Sequence, residues 1–384
     1  MTAVAKPKVL VFIDWYLPGY KAGGPVRSVA NLVDHLRDRI DFHIVTTDTD
    51  YTEQVPYTDI APDRWTVLPG EEKVWYASRA GISVKVWKEL LAQELWDTVY
   101  INGIYSRWFS ILPLRLLKGS SQRRVVAVRG MLATGMMKHG AWKKRAFLAV
   151  MKLLGVYRGV EFQATNQEEL QDVKKWISAD AIIHLVPNLG RRSVAAAPPT
   201  RAKEPGELKL VSVARIAVEK NTLFAIQCLH DLRGDITFDL FGPIYDQGYW
   251  AQCQQAIAAL PANVRVNHEG VIPSEQVPAL FTNYHALFMP SQGENFGHTM
   301  AEALVSGLPL LISDRTPWRG LEAARAGWDL SLEDGTAWRT TLMELVAMDQ
   351  ATLATWCEGA FAVGKRSLTD PEPVEKSFAL LAGQ

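Results

Sequence analysis

From Lys8 to Asp14 (KVLVFID) apolar residues follow one another up to a closing carboxylate. A strand with one wet face alternates apolar and polar positions. A continuous run marks a strand covered on both faces, as in helix-covered parallel sheets. Further strands are expected at Ile40–Thr46, Thr98–Asn102, Arg124–Val128, Gly159–Ala164 and Ile182–Val186. A loop with Gly19, Gly23, Gly24 and Pro25 separates the first run from a helical period over Val26–Arg37. Strands divided by helical stretches predict a doubly wound parallel sheet. The rhythm stops at Arg191–Gly206 (RRSVAAAPPTRAKEPG), whose three prolines and lack of period are linker composition. Strands are then expected at Leu208–Val213, Ile236–Phe241, Val264–Asn267, Ala286–Met289 and Pro309–Ile312. Helices are expected at Asn221–Leu232, Gln247–Ala259, Glu275–Thr282 and Gly297–Val305. The chain reads as α/β, with two similar-sized doubly wound domains, residues 1–190 and 207–365, around a linker at 191–206. Open α/β sheets bind ligands beyond the carboxyl ends of their strands, so two such domains would face a cleft.

Composition narrows the class. Of 384 residues 48% are apolar and 21% charged, which is globular rather than disordered. Forty-one basic residues balance forty-one acidic ones, which weighs against nucleic acid as a partner. Cys228, Cys253 and Cys357 are widely spaced and form no CxxC pair, which points to a reducing compartment. No run of 18 apolar residues predicts a membrane-spanning helix. The opening MTAVAKPKVLVFID lacks the apolar core of a signal peptide, so a cytoplasmic protein is expected.

The balanced total hides an asymmetry. Residues 101–160 hold twelve Lys and Arg and no Asp or Glu, so this window is +12 and the rest of the chain is −12. Within it, Ala141–Tyr157 is expected to be a helix, with Trp142, Ala146, Ala149 and Leu153 on one stripe and cations mostly at its start. Basic amphipathic helices lie on anionic membranes without spanning them, which makes an anionic membrane surface a candidate partner of residues 101–160. The alternative packs the stripe on the domain core and leaves the cations solvated. A third reading gives the cations to an anionic substrate.

The candidate chemistry lies in Met289–Ile312 (MPSQGENFGHTMAEALVSGLPLLI). A strand ends at Met289, a loop follows, and a helix starts near Gly297. Backbone N–H groups at Phe296, Gly297 and His298 would then form an anion site, approached closely at Gly297. Glu294 precedes the helix and Glu302 lies inside it. Helical side chains lean toward the N-terminus, so Glu302 can reach what is held beside the anion, and the two carboxylates look like acceptors for hydroxyls flanking it. Arg215 and Lys220 (VSVARIAVEKN) follow a neighbouring strand and can converge on the same anion. The alternative for them is a surface pairing with Glu219.

Glu294-(x7)-Glu302 within ENFGHTMAEALVSGLPLL, the upstream Arg215…Lys220 and the glycine pair Gly23-Gly24 together resemble a retaining glycosyltransferase of family 4. Such enzymes have the GT-B fold, two Rossmann-like domains facing a cleft. The opening FIDWYLPGYKAGGPVRSVANL resembles bacterial enzymes of surface polysaccharide assembly. The resemblance implies roles. Arg215 and Lys220 would bind the donor diphosphate as it leaves. The amides of Phe296, Gly297, His298 and Thr299 would hold phosphates or sugar. Glu294 would bind sugar hydroxyls and Glu302 the ribose. Gly270, Val271 and Pro273 would lie against the base, and Gly23 and Gly24 would let a loop close over the diphosphate. Residues 366–384 would include a helix, about Pro373–Leu381, returning to the first domain.

The resemblance further implies a UDP- or GDP-sugar as co-substrate, a saccharide or lipid-linked acceptor, and a position on the inner face of the plasma membrane. Departure of the diphosphate and attack from the same face need no separate strong base and no metal. Asp48-Thr49-Asp50 is a DxD triplet but reads as a loop, and the eight histidines show no HExxH spacing. Where many relatives have His-Gly, this chain has Arg129-Gly130. A guanidinium stays charged and cannot shuttle protons, but it can stabilise a phosphate or an acidic sugar. His139 is a candidate substitute or a surface histidine. Tyr105, Arg129 and His139 are the acceptor-side candidates. Asn188 in VPNLG matches a strand-end motif of the family apart from Leu189, and Trp318 is a candidate for stacking on the nucleotide. Nucleotide-sugar hydrolases and epimerases of the same fold are an alternative, and so is a non-catalytic subunit of a polysaccharide assembly complex.

Overall fold

In the first strand Leu10 and Phe12 enter one cluster with Trp87, Ile101 and Phe162, while Val9, Val11 and Ile13 enter another with Val29, Leu36 and Phe42. Both faces are dry, which is why the apolar run is unbroken. The computed structural model describes residues 5–133, 141–192 and 197–384. Elements run β1 (Lys8–Phe12), α1 (Gly24–Leu36), β2 (Asp41–Thr47), β3 (Trp65–Val67), β4 (Lys73–Ala77), α2 (Val84–Ala92) and β5 (Thr98–Asn102). A π turn at Arg107–Ile111 leads into α3 (Leu112–Leu116), then β6 (Arg124–Ala127), α4 (Ala141–Leu153), β7 (Glu161–Ala164), α5 (Gln167–Trp176) and β8 (Ile182–Leu185). The eight strands order as β3-β4-β2-β1-β5-β6-β7-β8, parallel except for β3 against β4. β3 and β4 escaped the sequence reading because Trp65–Val67 is too short to carry a period. An edge-on Trp65–Trp75 contact at 5.6 Å supports their pairing.

This first unit comprises Met1–Arg192 and Asp370–Gln384. The last stretch carries α12 (Glu372–Ala382). Leu380 and Leu381 join the cluster of Val9 and Val11. Arg39 makes a fork to Glu375 at 2.6 and 3.0 Å and lies 3.7 Å from the centroid of the Phe378 ring.

The second unit, Ser193–Thr369, runs β9 (Glu207–Val213), a 3₁₀ turn at Val218–Lys220, α6 (Thr222–Gln227), β10 (Asp235–Phe241), α7 (Gln247–Ala258) and β11 (Val264–Gly270). It continues through α8 (Val277–Leu280), β12 (Ala286–Met289), α9 (His298–Val305), β13 (Leu310–Ser313), β14 (Gly327–Leu330), α10 (Gly335–Ala347) and α11 (Gln350–Thr369). The parallel order β11-β10-β9-β12-β13-β14 reverses direction between β9 and β12, the switch point of a doubly wound sheet.

Three expectations change. The stretch expected as a linker is not free along its length. Arg201 donates to the carbonyls of Ser306 (2.7 Å) and Gly307 (2.8 Å), and Lys203 to those of Met348 (2.8 Å) and Val346 (3.2 Å). These carbonyls end α9 and α10, where cations satisfy orphan acceptors and the helix dipole. The domain boundary expected at residue 365 falls inside α11, which continues to Thr369. The third change is in α4, which ends at Leu153 and packs Phe147, Leu148 and Met151 on the core. The stripe of Trp142, Ala146, Ala149 and Leu153 faces solvent, with Trp142 72% and Leu153 87% exposed.

Candidate functional site

In the second unit β9 delivers the chain to Arg215 and then to the turn Val218–Lys220. The turn closes because Asn221 takes a left-handed conformation (φ 59°), which asparagine tolerates better than most residues. Across the switch point, β12 delivers the loop that carries Glu294. The Lys220 ammonium meets Glu294 Oε1 at 2.5 Å, with the two side chains only 19% and 11% exposed. Ser291 Oγ donates to the same oxygen at 2.9 Å, and Ser313 Oγ in turn donates to the Ser291 carbonyl at 2.5 Å. The Glu294 amide donates to the Arg315 carbonyl at 3.1 Å. Among the described residues both contacts to the Glu294 carboxylate use Oε1, which leaves Oε2 for a hydroxyl donor. An ammonium has three protons, so Lys220 can hold Glu294 and still take a phosphate oxygen. Breaking a buried ion pair of this kind by removing one partner typically costs about 3–5 kcal/mol.

Arg215 goes elsewhere. Its Nε and Nη2 meet Glu219 Oε1 at 2.8 and 2.6 Å on the exposed rim of the site. Burial works to raise the Glu219 carboxyl, but the Arg215 guanidinium, a backbone hydrogen bond and the Lys220 charge together hold the group below the usual glutamate range. The Glu219 carbonyl accepts from the Gln292 amide at 2.9 Å, which ties the two loops together.

The N-terminus of α9 lies beside this pair. Gly297 caps it at φ 74°, where a β-carbon would come within 2.8 Å of Met300 Sδ. Thr299 Oγ1 donates to the Val213 carbonyl at 3.1 Å, which pins the helix to the end of β9. Glu302 is 5% exposed, one turn further in. Trp318 is half-buried and donates from Nε1 to the Phe296 carbonyl at 2.8 Å, with the two rings 6.0 Å apart. Trp318 therefore braces the Phe296 loop. Gly270, at the end of β11, has φ 79° and open space where a side chain would stand, next to a 40% exposed Val271 and to Pro273. β11 lies two strands from β9, about 10 Å at the usual strand spacing.

Solved structures share this architecture across nearly the whole chain. Anabaena HepE, solved with UDP and glucose, superposes with a TM-score of 0.73 at 14% identity, over 98% of this chain and 100% of the other. WaaG, a glycosyltransferase involved in lipopolysaccharide biosynthesis, gives 0.64 at 14% identity, over 98% and 100%. The fold is GT-B. Residues 196–324 match the family model "Glycosyl transferases group 1". A 2-deoxystreptamine glucosyltransferase of Streptomyces kanamyceticus is 33% identical over 101 residues, which is 26% of this chain and 25% of that protein. The chain thus matches about a quarter of the length of this curated relative.

The first GT-B unit carries the other candidates. Gly23 caps α1 at φ 70°, with no atom within 4 Å of where a β-carbon would stand, and Gly24 opens the helix. Asp50 holds this loop by accepting from the Tyr20 amide at 3.0 Å and the Lys21 amide at 3.3 Å. The second carboxylate of the DxD triplet is thus a loop anchor. Asp14, beyond β1, accepts from Ser106 Oγ at 2.6 Å. Burial raises its carboxyl above the usual aspartate range, against the hydrogen bond from Ser106.

Arg129 takes φ 53° and spends its guanidinium inside the unit. Nε donates to Asn102 Oδ1 at 2.7 Å, Nη2 to the Tyr100 hydroxyl at 2.7 Å, and Nη1 to Asn188 Oδ1. Glu169 Oε1 accepts from the Gly130 amide at 2.5 Å. Tyr105 donates to the Met131 carbonyl at 3.4 Å and packs its ring 5.4 Å from that of Phe147. His139 lies outside the described residues.

The structure thus joins Lys220, Glu294, Phe296, Gly297, His298 and Thr299 at the neighbouring ends of β9 and β12, with Glu302 buried behind them. It sends Arg215 to Glu219 and places Gly270, Val271 and Pro273 at the end of β11. Gly23, Gly24, Tyr105 and Arg129 belong to the other unit. Ser291, Ser313, Asn102 and Tyr100 went unnoticed in the sequence, because single Ser, Asn and Tyr residues carry no spacing signal, and Asn188 was noticed as a strand-end motif but not as a partner of Arg129.

Proposed function

We propose that this chain is a metal-independent retaining glycosyltransferase of family 4, moving a sugar from a nucleotide-diphosphate donor to a saccharide acceptor. The observation that carries the reading is the Lys220–Glu294 pair beside the N-terminus of α9 at the switch point of the second sheet. A cation and a helix N-terminus suit a diphosphate. A carboxylate oxygen beside them suits sugar hydroxyls. The separation of about 10 Å between the β9 and β11 ends suits a nucleoside reaching from diphosphate to base.

In the proposed reaction the bond from the anomeric carbon to the phosphate oxygen breaks, and a bond to the acceptor oxygen forms on the same face. The acceptor's proton passes to the departing phosphate oxygen. Lys220 and the α9 amides stabilise the charge that develops on the diphosphate, the kind of preorganised stabilisation that typically accounts for factors of about 10²–10³ per group. Glu294 Oε2 orients the sugar, and Glu302 takes the ribose. The HepE complex with UDP and glucose and the glucosyltransferase relative make UDP-glucose the first donor to try. WaaG's role in lipopolysaccharide biosynthesis supports a lipid-linked acceptor in bacterial surface polysaccharide assembly, met at the inner membrane face.

The test is release of nucleoside diphosphate from UDP- and GDP-sugars, with and without a bacterial lipid extract and with EDTA present. Acceptor-dependent release with an α-linked product from an α-linked donor supports the reading. Release that yields free or epimerised sugar without acceptor points to a hydrolase or epimerase. A folded sample that binds no nucleotide-sugar overturns the reading.

A further inference from the structure

We infer that the outward face of α4 is a docking surface for an anionic lipid bilayer. At 100° per residue, Trp142, Ala146, Ala149 and Leu153 fall within one narrow stripe, with Val150 at its edge. This stripe faces water, while Leu148 and its neighbours face the core. A lone exposed leucine is ordinary, but a tryptophan and leucine aligned on one face are a patch.

The cations border that patch. Lys143 lies on one flank of the stripe, and Arg145 and Lys152 lie on the other. Among the described residues none of the three takes part in an ion pair. The surrounding window of sixty residues has no carboxylate. Glu161, the first one beyond it, is occupied by Arg123 at 2.6 Å and by His184 at 2.6 Å. An apolar stripe with cations on both flanks is the arrangement of a helix lying in a headgroup layer. Charge selects the occupant. A neutral protein surface would cover the apolar stripe but leave the flanking cations unmatched, whereas anionic headgroups match both. The surface rests on the transferase reading only for its use, which is to hold the enzyme where a lipid-linked acceptor lies. Its chemistry stands apart from the donor site.

The experiment is co-sedimentation of the full chain, without donor, with vesicles of phosphatidylcholine alone or with 30% phosphatidylglycerol. We expect binding to the anionic vesicles only, weakened by raising salt from 0.1 to 0.5 M. Trp142→Glu with Leu153→Glu should weaken it at least tenfold, and so should Lys143→Glu with Arg145→Glu, at about 1 kcal/mol per cation near an anionic surface. Leu95→Glu, at an exposed leucine on another part of the unit, should bind like the wild type. All these positions are exposed, so the thermal midpoints should match and report folding. Lys220→Ala should bind vesicles normally, which separates failure of the docking from failure of the transferase reading. Equal binding to neutral vesicles, no binding at all, or binding that survives both α4 pairs overturns the inference. Loss in Leu95→Glu equal to that of the α4 pairs overturns the assignment to this face.

Discussion

Lys220 in the second unit and Arg129 in the first both follow the carboxyl end of a sheet strand, yet the fold treats their charges differently. Lys220 is met by a carboxylate, Glu294, which a serine pair holds in turn. Arg129 is met by three neutral oxygens, from Asn102, Asn188 and Tyr100. A neutralised pair can open toward an incoming anion and close again without leaving an isolated charge in a half-dry site. A guanidinium spread over three neutral acceptors is a strut. It ties the ends of β5 and β6 to the chain beyond β8 and keeps its net charge. The strut suits a position that holds strand ends together, and on the proposed reading the pair would let one site serve both phosphate and sugar.

Several substitutions would break or sharpen this contrast. The largest effect is expected from Lys220→Ala, which should lower kcat/KM for the donor about 10³-fold, with a far smaller change in donor dissociation. A loss confined to KM would reduce Lys220 to a ground-state contact. Glu294→Gln keeps the shape but removes the charge. It should cost about 10²-fold in kcat, while calorimetry shows nucleoside diphosphate binding several-fold tighter, because Lys220 no longer divides its charge. Weaker diphosphate binding in that variant contradicts the shared-cation picture.

Arg129→Met leaves three buried acceptors without a donor and should cost about 2–3 kcal/mol of stability, read as a lower urea midpoint. Donor KM should stay within twofold. If stability holds and acceptor KM rises instead, Arg129 is a substrate contact rather than a strut. Trp318→Phe deletes one hydrogen bond to the Phe296 carbonyl, worth about 1 kcal/mol, and should raise donor KM roughly fivefold with kcat unchanged.

The smallest effect is a pH dependence. Because Glu219 has a depressed carboxyl pKa, its stabilisation is present above the ordinary glutamate range and disappears as pH falls through the depressed value. The pair is partly exposed, so solvent screening keeps its contribution below about 1 kcal/mol. Wild type and Glu219→Gln should therefore differ slightly in urea midpoint at pH 7, and the difference should shrink as pH falls below the ordinary glutamate range.

Legibility in the sequence followed signal length. The buried strands β1 and β12 announced themselves because both faces are dry and apolar residues follow one another almost without a break, whereas β9 was legible from Leu208, Leu210, Val211 and Val213 despite Glu207, Lys209 and Ser212 between them. β3 was not, because three residues carry no period. Lys220 and Glu294 were legible as separate motifs on separate strand ends, while their contact across 74 positions was not. Trp318 was visible as a loop aromatic, but its bond to the Phe296 carbonyl makes it a brace. Arg201 and Lys203 looked like scattered linker charge, because nothing local shows that they cap the ends of α9 and α10.

The sequence by itself determined the α/β class, the strand-end placement of the candidate residues and the excess of positive charge in residues 101–160. These follow from local periodicity and from counting, and neither depends on distant partners. Tertiary structure alone decided which carboxylate meets which cation and which side of α4 faces the core. A helical period leaves the direction of the apolar stripe open. Phe147, Leu148 and Met151 were free to lie beneath β5, β6 and β7 only once that sheet had assembled, and that choice left Trp142 and Leu153 in water.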